Sequence, residues 1–295
     1  MAEKKKGGSL VELKAYAKIN LYLDVTAKRQ DGYHDLVTVM QSVSLADTLT
    51  FSRTAGEGIV LHTDGALPTD DSNLICRAAN AYFARTGKPF GISVDLEKRI
   101  PMQAGLGGGS ADAAATLKAL NQMDGNRFSV QELCEIGAAV GADVPFCIVG
   151  GTQLCRGIGE VMESVPNRLT GTLVIAIGRE GVSTPVAFKE LDRKYDDFKH
   201  GGRKACPSAL LKAMQTGDIT AATPQFMNLF EEVVCVMRPF VGEIRNLMLK
   251  NGAVAAMMSG SGPSVWGLFE NEQQAEAAQQ ELQAIGARVF VCHFI

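Results

Sequence analysis

Between Pro101 and Ala114 the chain reads Pro-Met-Gln-Ala-Gly-Leu-Gly-Gly-Gly-Ser-Ala-Asp-Ala-Ala, so that Leu106 alone interrupts Gly105, Gly107, Gly108 and Gly109. The pattern predicts a strand end, a glycine loop and a helix beginning at about Ser110. The first N–H groups of a helix have no carbonyl partner within it, and that end carries partial positive charge, so such a junction is an anion site. Glycines let a phosphate chain lie against the backbone with no Cβ in the way. A tight turn into an alanine-rich helix needs one or two glycines; four within five residues favour phosphate binding. The loop is not of Walker A type, because no Gly-Lys-Ser/Thr occurs and Gly87-Lys88 is followed by Pro89. It also lacks the Gly-x-Gly-x-x-Gly of dinucleotide folds, and the His-Arg-Asp and Asp-Phe-Gly of protein kinases are absent.

Four further segments hold candidate chemistry. Asp143, in Gly141-Ala-Asp-Val-Pro-Phe-Cys-Ile-Val-Gly-Gly151, precedes a nearly apolar run. An ionised carboxylate is not left beside core residues without a partner. It is either a turn residue bonding local backbone or a general base, a charge set against a substrate hydroxyl. Lys18 and Asn20 fall on the polar face of an alternating strand, where a solvated face is the ordinary outcome. Tyr16 and Tyr22 on that face imply partial cover, and a lysine there would pair with Asp143 or a phosphate. Asp31-Gly32-Tyr33-His34 predicts a turn carrying an exposed aromatic and an exposed imidazole, one able to stack on a base and the other to bond its edge. Met258-Ser-Gly260-Ser261-Gly262-Pro lies between two predicted strands; a hairpin needs one glycine, and Gly-Ser-Gly offers successive N–H groups as a second anion nest.

These residues require a scaffold, and the periodicity of the 295-residue chain predicts one. Every odd position from Val11 to Val25 is apolar, the mark of a half-buried strand, here long enough to bend midway. The alternation returns at Val37–Leu45 and Ile92–Leu96, so the opening is a mostly antiparallel sheet. Helices are expected over Leu74–Phe83, closed by Gly87; after the triple glycine, with Ala113, Leu117 and Leu120 on one face; and from a Ser129/Glu132 capping box through Leu133, Ile136 and Val140. After about residue 165 the order becomes strand (173–177), helices to Lys250, strands (253–258 and 265–269), a helix ended by Gly286, and a strand (289–294), the split βαβ pattern. The expected fold class is therefore α+β, with an N-terminal mixed sheet with helices over 9–165 and a C-terminal ferredoxin-like layer over 166–295. Arg193–Arg203 is expected to be an exposed loop, and the start, with Lys4, Lys5 and Lys6, a loose tail.

Composition excludes several classes. With 46% hydrophobic and 21% charged residues the chain is neither disordered nor fibrous, and a net charge of -3 lacks the basic excess of a nucleic-acid binder. The seven cysteines are odd in number, none in a Cys-x-x-Cys pair and most in apolar runs, which predicts buried free thiols in a reducing compartment rather than disulfides or a zinc site. No signal peptide is visible and no apolar run approaches the ~20 residues of a membrane span, so a cytoplasmic location is expected.

In this order, the five segments resemble the GHMP kinases, small-molecule kinases named for galactose, homoserine, mevalonate and phosphomevalonate. The central loop is similar to that family's Pro-x-x-x-Gly-Leu-Gly phosphate loop, and Gly260-Ser261-Gly262 to its third motif. Ala17-Lys18-Ile-Asn20-Leu, Asp31-Gly-Tyr33-His34, Gly-Gly-Gly-Ser110 and Gly141-Ala-Asp143-Val-Pro narrow the resemblance to the branch acting on 4-diphosphocytidyl-2-C-methyl-D-erythritol. It spans about residues 14 to 270. The resemblance implies that family's two-domain fold, and transfer of phosphate from ATP, accompanied by Mg²⁺, to the 2-hydroxyl of that substrate in the non-mevalonate isoprenoid pathway. It implies Asp143 as the base and Lys18 as its charge partner. Pro101, Gly105, Leu106, Gly107, Gly108, Gly109, Ser110 and Ala111 would cradle the ATP phosphates, with Asn73 and Lys98 near the adenine. Asn20, Gly260, Ser261 and Gly262 would face the substrate, Tyr33 and Phe188 (in Thr184-Pro-Val-Ala-Phe188) would sandwich its base, and His34 would read the cytosine edge. The sequence departs from the family pattern at Gln103, where glycine is common, at Ala111, where a second serine is common, and at Cys155-Arg-Gly-Ile-Gly, which replaces a richer Gly/Arg stretch. Glycine stands where mevalonate-type relatives place a serine ligand for Mg²⁺, so no protein ligand is assigned to the metal.

Two other readings compete. A kinase of homoserine or mevalonate has no base to stack, which Tyr33, His34 and Phe188 argue against. A non-catalytic phosphate- or RNA-binding domain using Lys4–Lys6 is opposed by Lys18, Asp143 and the acidic balance. The expected partners are the small-molecule substrate alone, with no nucleic acid and no membrane, in a monomer or weak homodimer.

Overall fold

The computed structural model describes residues 10–65, 67–178, 180–195, 198 and 206–295. The expected lysine tail and most of the expected Arg193–Arg203 loop lie outside the described residues. In chain order the elements are β1 (Val11–Lys28), β2 (His34–Thr54), β3 (Gly58–His62), α1 (Leu74–Thr86), β4 (Gly91–Glu97), α2 (Gly108–Met123), α3 (Val130–Ala138), α4 (Val144–Val149), β5 (Thr152–Gly157), β6 (Val161–Ser164) and β7 (Thr172–Ile177). They continue as α5 (Thr184–Lys194), α6 (Pro207–Thr216), α7 (Ile219–Ala222), β8 (Met227–Asn228), α8 (Glu231–Met237), α9 (Pro239–Lys250), β9 (Ala255–Met258), β10 (Val265–Phe269), α10 (Glu272–Ala284) and β11 (Arg288–Cys292). Packing groups the chain into two units, Met1–Ala17 with Ala46–Ile100 and Gly107–Val149, and Lys18–Leu45 with Pro101–Leu106 and Gly150–Ile295. Along the sequence the units alternate, β1 and β2 each giving residues to both, whereas the division expected between 165 and 166 is a single break in the sequence.

In the first unit the end of β2 pairs antiparallel with β4, from Thr48 opposite Glu97 to Thr54 opposite Gly91, and β3 runs parallel to β4. α1 starts where the Asn73 side chain accepts from Ile75 N–H, and ends at Gly87, whose φ of 62° only glycine adopts freely. The Ser129/Glu132 capping box is present at the head of α3. α2 is buried nearly all round through Ala111, Ala113, Ala114, Ala115, Leu117, Ala119 and Leu120. Small side chains permit that, because neighbours can approach the helix from every side.

In the second unit the start of β2 pairs antiparallel with β5, β5 with β6, and β1 runs parallel to β8 through Tyr22 opposite Met227. A separate sheet has the order β11-β7-β10-β9, every neighbour antiparallel. With helices between β7 and β9 and α10 between β10 and β11, this is the expected ferredoxin-like layer. Its core gathers Val174, Ala176, Val234, Ile244, Met248, Val265, Phe269 and Leu282.

One expectation is corrected here. β1 runs unbroken over 18 residues, and from Ala17 to Val25 both faces are buried instead of one. Lys18 is 5% exposed and Asn20 1%, so at these residues the cover is nearly complete where Tyr16 and Tyr22 implied partial cover. Polar groups survive there because hydrogen bonds replace water. All seven cysteines are free thiols; Cys76, Cys134, Cys155 and Cys292 are buried, Cys147 and Cys235 half-buried and Cys206 exposed. Among the described residues no helix is long and apolar enough to cross a membrane.

Candidate active site

The glycine loop begins in the second unit. Gly105 has φ 76°, and an ideal Cβ there would meet the Ser259 carbonyl oxygen at 2.2 Å, so only glycine fits. The contact is used: Ser259 Oγ donates to the Gly105 carbonyl at 2.9 Å, and Ser264 Oγ donates to that of Ala104. Lys18 N–H donates to the Leu106 carbonyl at 2.9 Å. The predicted turn between β9 and β10 therefore lies against the predicted phosphate loop. Asn20 joins the same group. Its Oδ1 accepts from Lys18 Nζ and from Gly260 N–H, both at 2.9 Å, and its Nδ2 donates to Thr38 Oγ1 at 2.8 Å. Asn228 Nδ2 fixes the turn from behind through the carbonyls of Met258 and Gly260, each at 2.8 Å. A cavity of about 570 Å³ opens beside this network, lined by Gln103, Gly105, Thr184, Arg238, Ser261 and Gly262. Thr184 Oγ1 and Ser261 Oγ lie 2.7 Å apart at its wall. Gln103 has φ 52°, a left-handed conformation that glycine takes without strain.

In the first unit α2 begins at Gly108, two residues earlier than expected. Gly107 caps it with φ 69° and no side-chain hydrogen bond, so its first N–H groups are not closed off by a capping oxygen. A Cβ built on Gly141 would lie 3.9 Å from Ser110 Oγ, so the turn carrying Asp143 sits beside the head of α2. Asp143 is half-buried and its carbonyl accepts from Cys147 N–H at 3.1 Å, one residue before α4.

Asn73 and Lys98, expected near an adenine, are both hydrogen-bonded within the protein. Asn73 accepts from Ile75 N–H and donates to the Pro68 carbonyl at 2.8 Å. Lys98 Nζ donates to Asp47 and, at 2.9 Å, to Asp112. Asp47 also accepts from the N–H groups of Arg99 and Ile100, at 2.6 and 2.8 Å. Burial, reinforced by the Asp47 charge and opposed by Lys98, pushes the Asp112 carboxyl up to about 7. Its Oδ1 is buried without a hydrogen-bond partner.

The residues expected to bind a base are all in the second unit. Gly32 has φ 86° and the Asp31 carboxylate accepts from Tyr33 N–H at 3.0 Å, which is the predicted turn. Tyr33 is 62% exposed as expected, but His34 is not: it is 7% exposed. It stacks on Phe188 with centroids 4.6 Å apart and planes at 20°, with Phe198 edge-on at 5.5 Å. Its Nε2 meets Asp192 Oδ1 at 2.7 Å. Phe188 and Asp192 on α5, with Phe198 beyond its end, explain the burial, since stacking and a carboxylate partner together replace water around the ring.

The sequence reading names the two glycine turns, Lys18, Asn20, Tyr33, His34 and Phe188 as candidates; Asp192, Thr184, Asn228, Asp47 and Asp112, which the structure places in contact with named candidates or with the turns, it does not name. A signal existed for Asp192: it stands four residues after Phe188, on the same helix face. None existed for Asn228, which acts from a two-residue strand.

Residues 73–151 match the family described as GHMP kinases N terminal domain, and residues 210–288 match GHMP kinases C terminal. The chain is 38% identical over 274 residues to a 4-diphosphocytidyl-2-C-methyl-D-erythritol kinase of Caldicellulosiruptor bescii, covering 92% of this chain and 94% of that one. It is 40% identical over 286 residues to the protein of the same name in Acetivibrio thermocellus, covering 97% and 99%. Among solved structures, a 4-(cytidine 5'-diphospho)-2C-methyl-D-erythritol kinase superimposes with a TM-score of 0.82 at 33% identity, covering 96% of this chain and 99% of that one. A homoserine kinase from Cytophaga hutchinsonii superimposes with a TM-score of 0.73 at 20% identity, covering 100% and 97%, a likeness of fold.

Proposed function

Because the chain belongs to the GHMP kinase family, we propose that it transfers the γ-phosphate of ATP to the 2-hydroxyl of 4-diphosphocytidyl-2-C-methyl-D-erythritol. The observation that supports this reading is Gly141, two residues before Asp143, lying beside Ser110 in the first turn of α2, whose head carries no side-chain cap: a proton acceptor at Asp143 would then stand near an anion site. The relatives' names and the Tyr33, His34 and Phe188 group, which a small aliphatic alcohol would not need, support the substrate.

Phosphoryl transfer asks for positioning and charge stabilisation more than covalent chemistry. In this reading the N–H groups from Gly107 to Ser110 hold the ATP phosphates, Ala111 N–H being engaged by the Gly107 carbonyl at 2.8 Å, and the Gly260–Gly262 turn with Asn20 holds the acceptor. The substrate oxygen attacks the γ-phosphorus, the bond to the β-phosphate oxygen breaks, and ADP leaves. Asp143 takes the hydroxyl proton, worth about 10²–10⁴-fold. Lys18 contributes positive charge on the acceptor side. Asn73 and Lys98 keep a supporting part, since their polar atoms are engaged by Ile75, Pro68, Asp47 and Asp112. Among the described residues no three His, Cys, Asp or Glu side chains gather as a metal cage. Mg²⁺ commonly rides on nucleotide phosphates with few protein ligands; bound with ATP beside the residues of the glycine loop, it would supply charge neutralisation to the phosphates.

The test is ADP release by the purified protein with ATP and each of three acceptors. Turnover with the cytidine-linked polyol and none with homoserine or mevalonate is expected. Turnover with either small alcohol alone would replace the substrate, and ATP binding without turnover of any of the three would point to a binding domain.

A further inference from the structure

The His34 ring presents two nitrogens, and what it can recognise depends on which one carries the proton. Asp192 lies one turn after Phe188 on α5, so a single helix face supplies both the wall that stacks on the ring and the carboxylate that meets its edge. Both carboxylate oxygens are engaged: Oδ1 by His34 Nε2 at 2.7 Å and Oδ2 by Lys28 Nζ at 2.6 Å. Burial pushes the Asp192 carboxyl up, but hydrogen bonds from Lys28 and His34 outweigh it and hold it below the usual range. An ionised carboxylate only accepts, so Nε2 must donate. A ring flip would put Cε1 where Nε2 stands and break this bond, and the stack on Phe188 with the Phe198 edge holds the plane. No described residue bonds Nδ1.

We propose that Asp192 is a positioning residue for base selection: it locks His34 with the proton on Nε2, leaving Nδ1 as an acceptor that favours a pyrimidine with a 4-amino group over one with a 4-oxo group. The inference rests on the cytidine-linked substrate proposed above. A neutral imidazole with a free Nδ1 lone pair accepts from the exocyclic amine of cytosine and opposes the carbonyl oxygen that uracil places there. Tyr33 and Phe188 cannot make this distinction, since every base has a π-face. The lock adds the donor–acceptor sense that stacking lacks.

Two measurements on the full chain test this. Long-range ¹⁵N–¹H correlation spectra at pH 8, with the His34 signals assigned by His34→Gln, report which nitrogen is protonated. Steady-state kinetics with the cytidine-linked polyol and its uridine analogue give the ratio of their kcat/KM values. The wild type is expected to show the proton on Nε2 and to prefer the cytidine compound. In Asp192→Asn the amide can donate to Nε2, so the proton should move to Nδ1, and the preference should fall by about tenfold or more. The change should lie in KM, with kcat for the cytidine compound within about threefold of wild type. Asp192→Glu should restore the wild-type proton position and much of the preference, which a purely structural role would not require. A proton on Nδ1, or on both nitrogens, in the wild type at pH 8 overturns the lock, and that spectrum decides the matter even if Asp192→Asn fails to fold. A shifted proton with an unchanged preference overturns the selection. If neither nucleotide compound is turned over, the proposed function fails and the selection with it, while the spectrum still judges the lock.

Discussion

Replacing Asp143 by Asn keeps the side-chain shape and removes both the negative charge and the proton acceptor. Turnover should fall by about two orders of magnitude or more, within the range of acid–base groups, while equilibrium binding of ATP and of the polyol largely survives. Lys18→Met should also slow turnover. Rapid-quench rates for the two single variants and the double variant measure this: a double loss well short of the product of the single losses is expected, as for residues acting as a unit. Near-wild-type turnover of Asp143→Asn would leave that residue as a turn former. Tyr33 is exposed and so can be tested with little risk to the core. Tyr33→Ala removes a stacking face worth about 1–3 kcal/mol, so affinity for the cytidine compound should drop about ten- to a hundredfold. Calorimetric titration with an ATP analogue should give an unchanged affinity; equal losses for both ligands would mean that Tyr33 is not at the base.

At the scale of elements, the site is an arrangement of turns held against strands. The turn between β9 and β10 is tied to Asn20 in β1, to Asn228 in β8 and to the glycine loop at Gly105. That network makes Gly105 a packing glycine as well as a loop glycine. A Cβ there would overlap the Ser259 carbonyl, and φ is in the left-handed region. Gly105→Ala should therefore cost about 1–3 kcal/mol of stability, as overpacking does, and pull the two turns apart. A lower urea midpoint together with a raised KM for both substrates is the expected pair of readings. An unchanged midpoint would show that the Ser259 carbonyl can move aside freely.

At the scale of the whole molecule, the buried Asp47–Lys98–Asp112 group in the first unit gives stability a dependence on pH. Two carboxylates share one ammonium, so one excess negative charge is buried when both ionise. With its carboxyl pushed up to about 7, folded Asp112 holds a proton through the interval from about pH 4 to pH 7, where the unfolded chain has lost it. The folded state then binds more protons, and Asp112's contribution to stability is full below about pH 4 and is lost as pH rises through about 7. Asp112→Asn mimics the protonated form. It should be more stable than wild type at pH 8 and close to it at pH 4, as read from urea midpoints across that range. A constant difference between the two proteins at every pH would mean that Asp112 does not titrate there.

The outcome for particular residues separates what local sequence can decide from what it cannot. The capping box at Ser129, the close of α1 at Gly87, the turn at Asp31-Gly32 and the glycine-led start of α2 were all legible, because each is set by the conformational range of a few neighbouring residues. The order of elements from β7 to β11 was legible for the same reason, and with it the ferredoxin-like layer. So were most residues of the candidate site, because glycine clusters and isolated charges stand out against an apolar background. Burial and partnership were not legible. Alternation in β1 says which residues share a face but not what covers that face; Tyr16 and Tyr22 implied partial cover, and the folded chain buries Lys18 and Asn20 almost completely. His34 reads as exposed until α5, 158 residues away in sequence, brings Phe188 and Asp192 against it. Asp47 meets Lys98 across 51 residues. A hydrogen-bond partner is chosen by whichever distant segment packs alongside, and only the folded chain decides which segment that is.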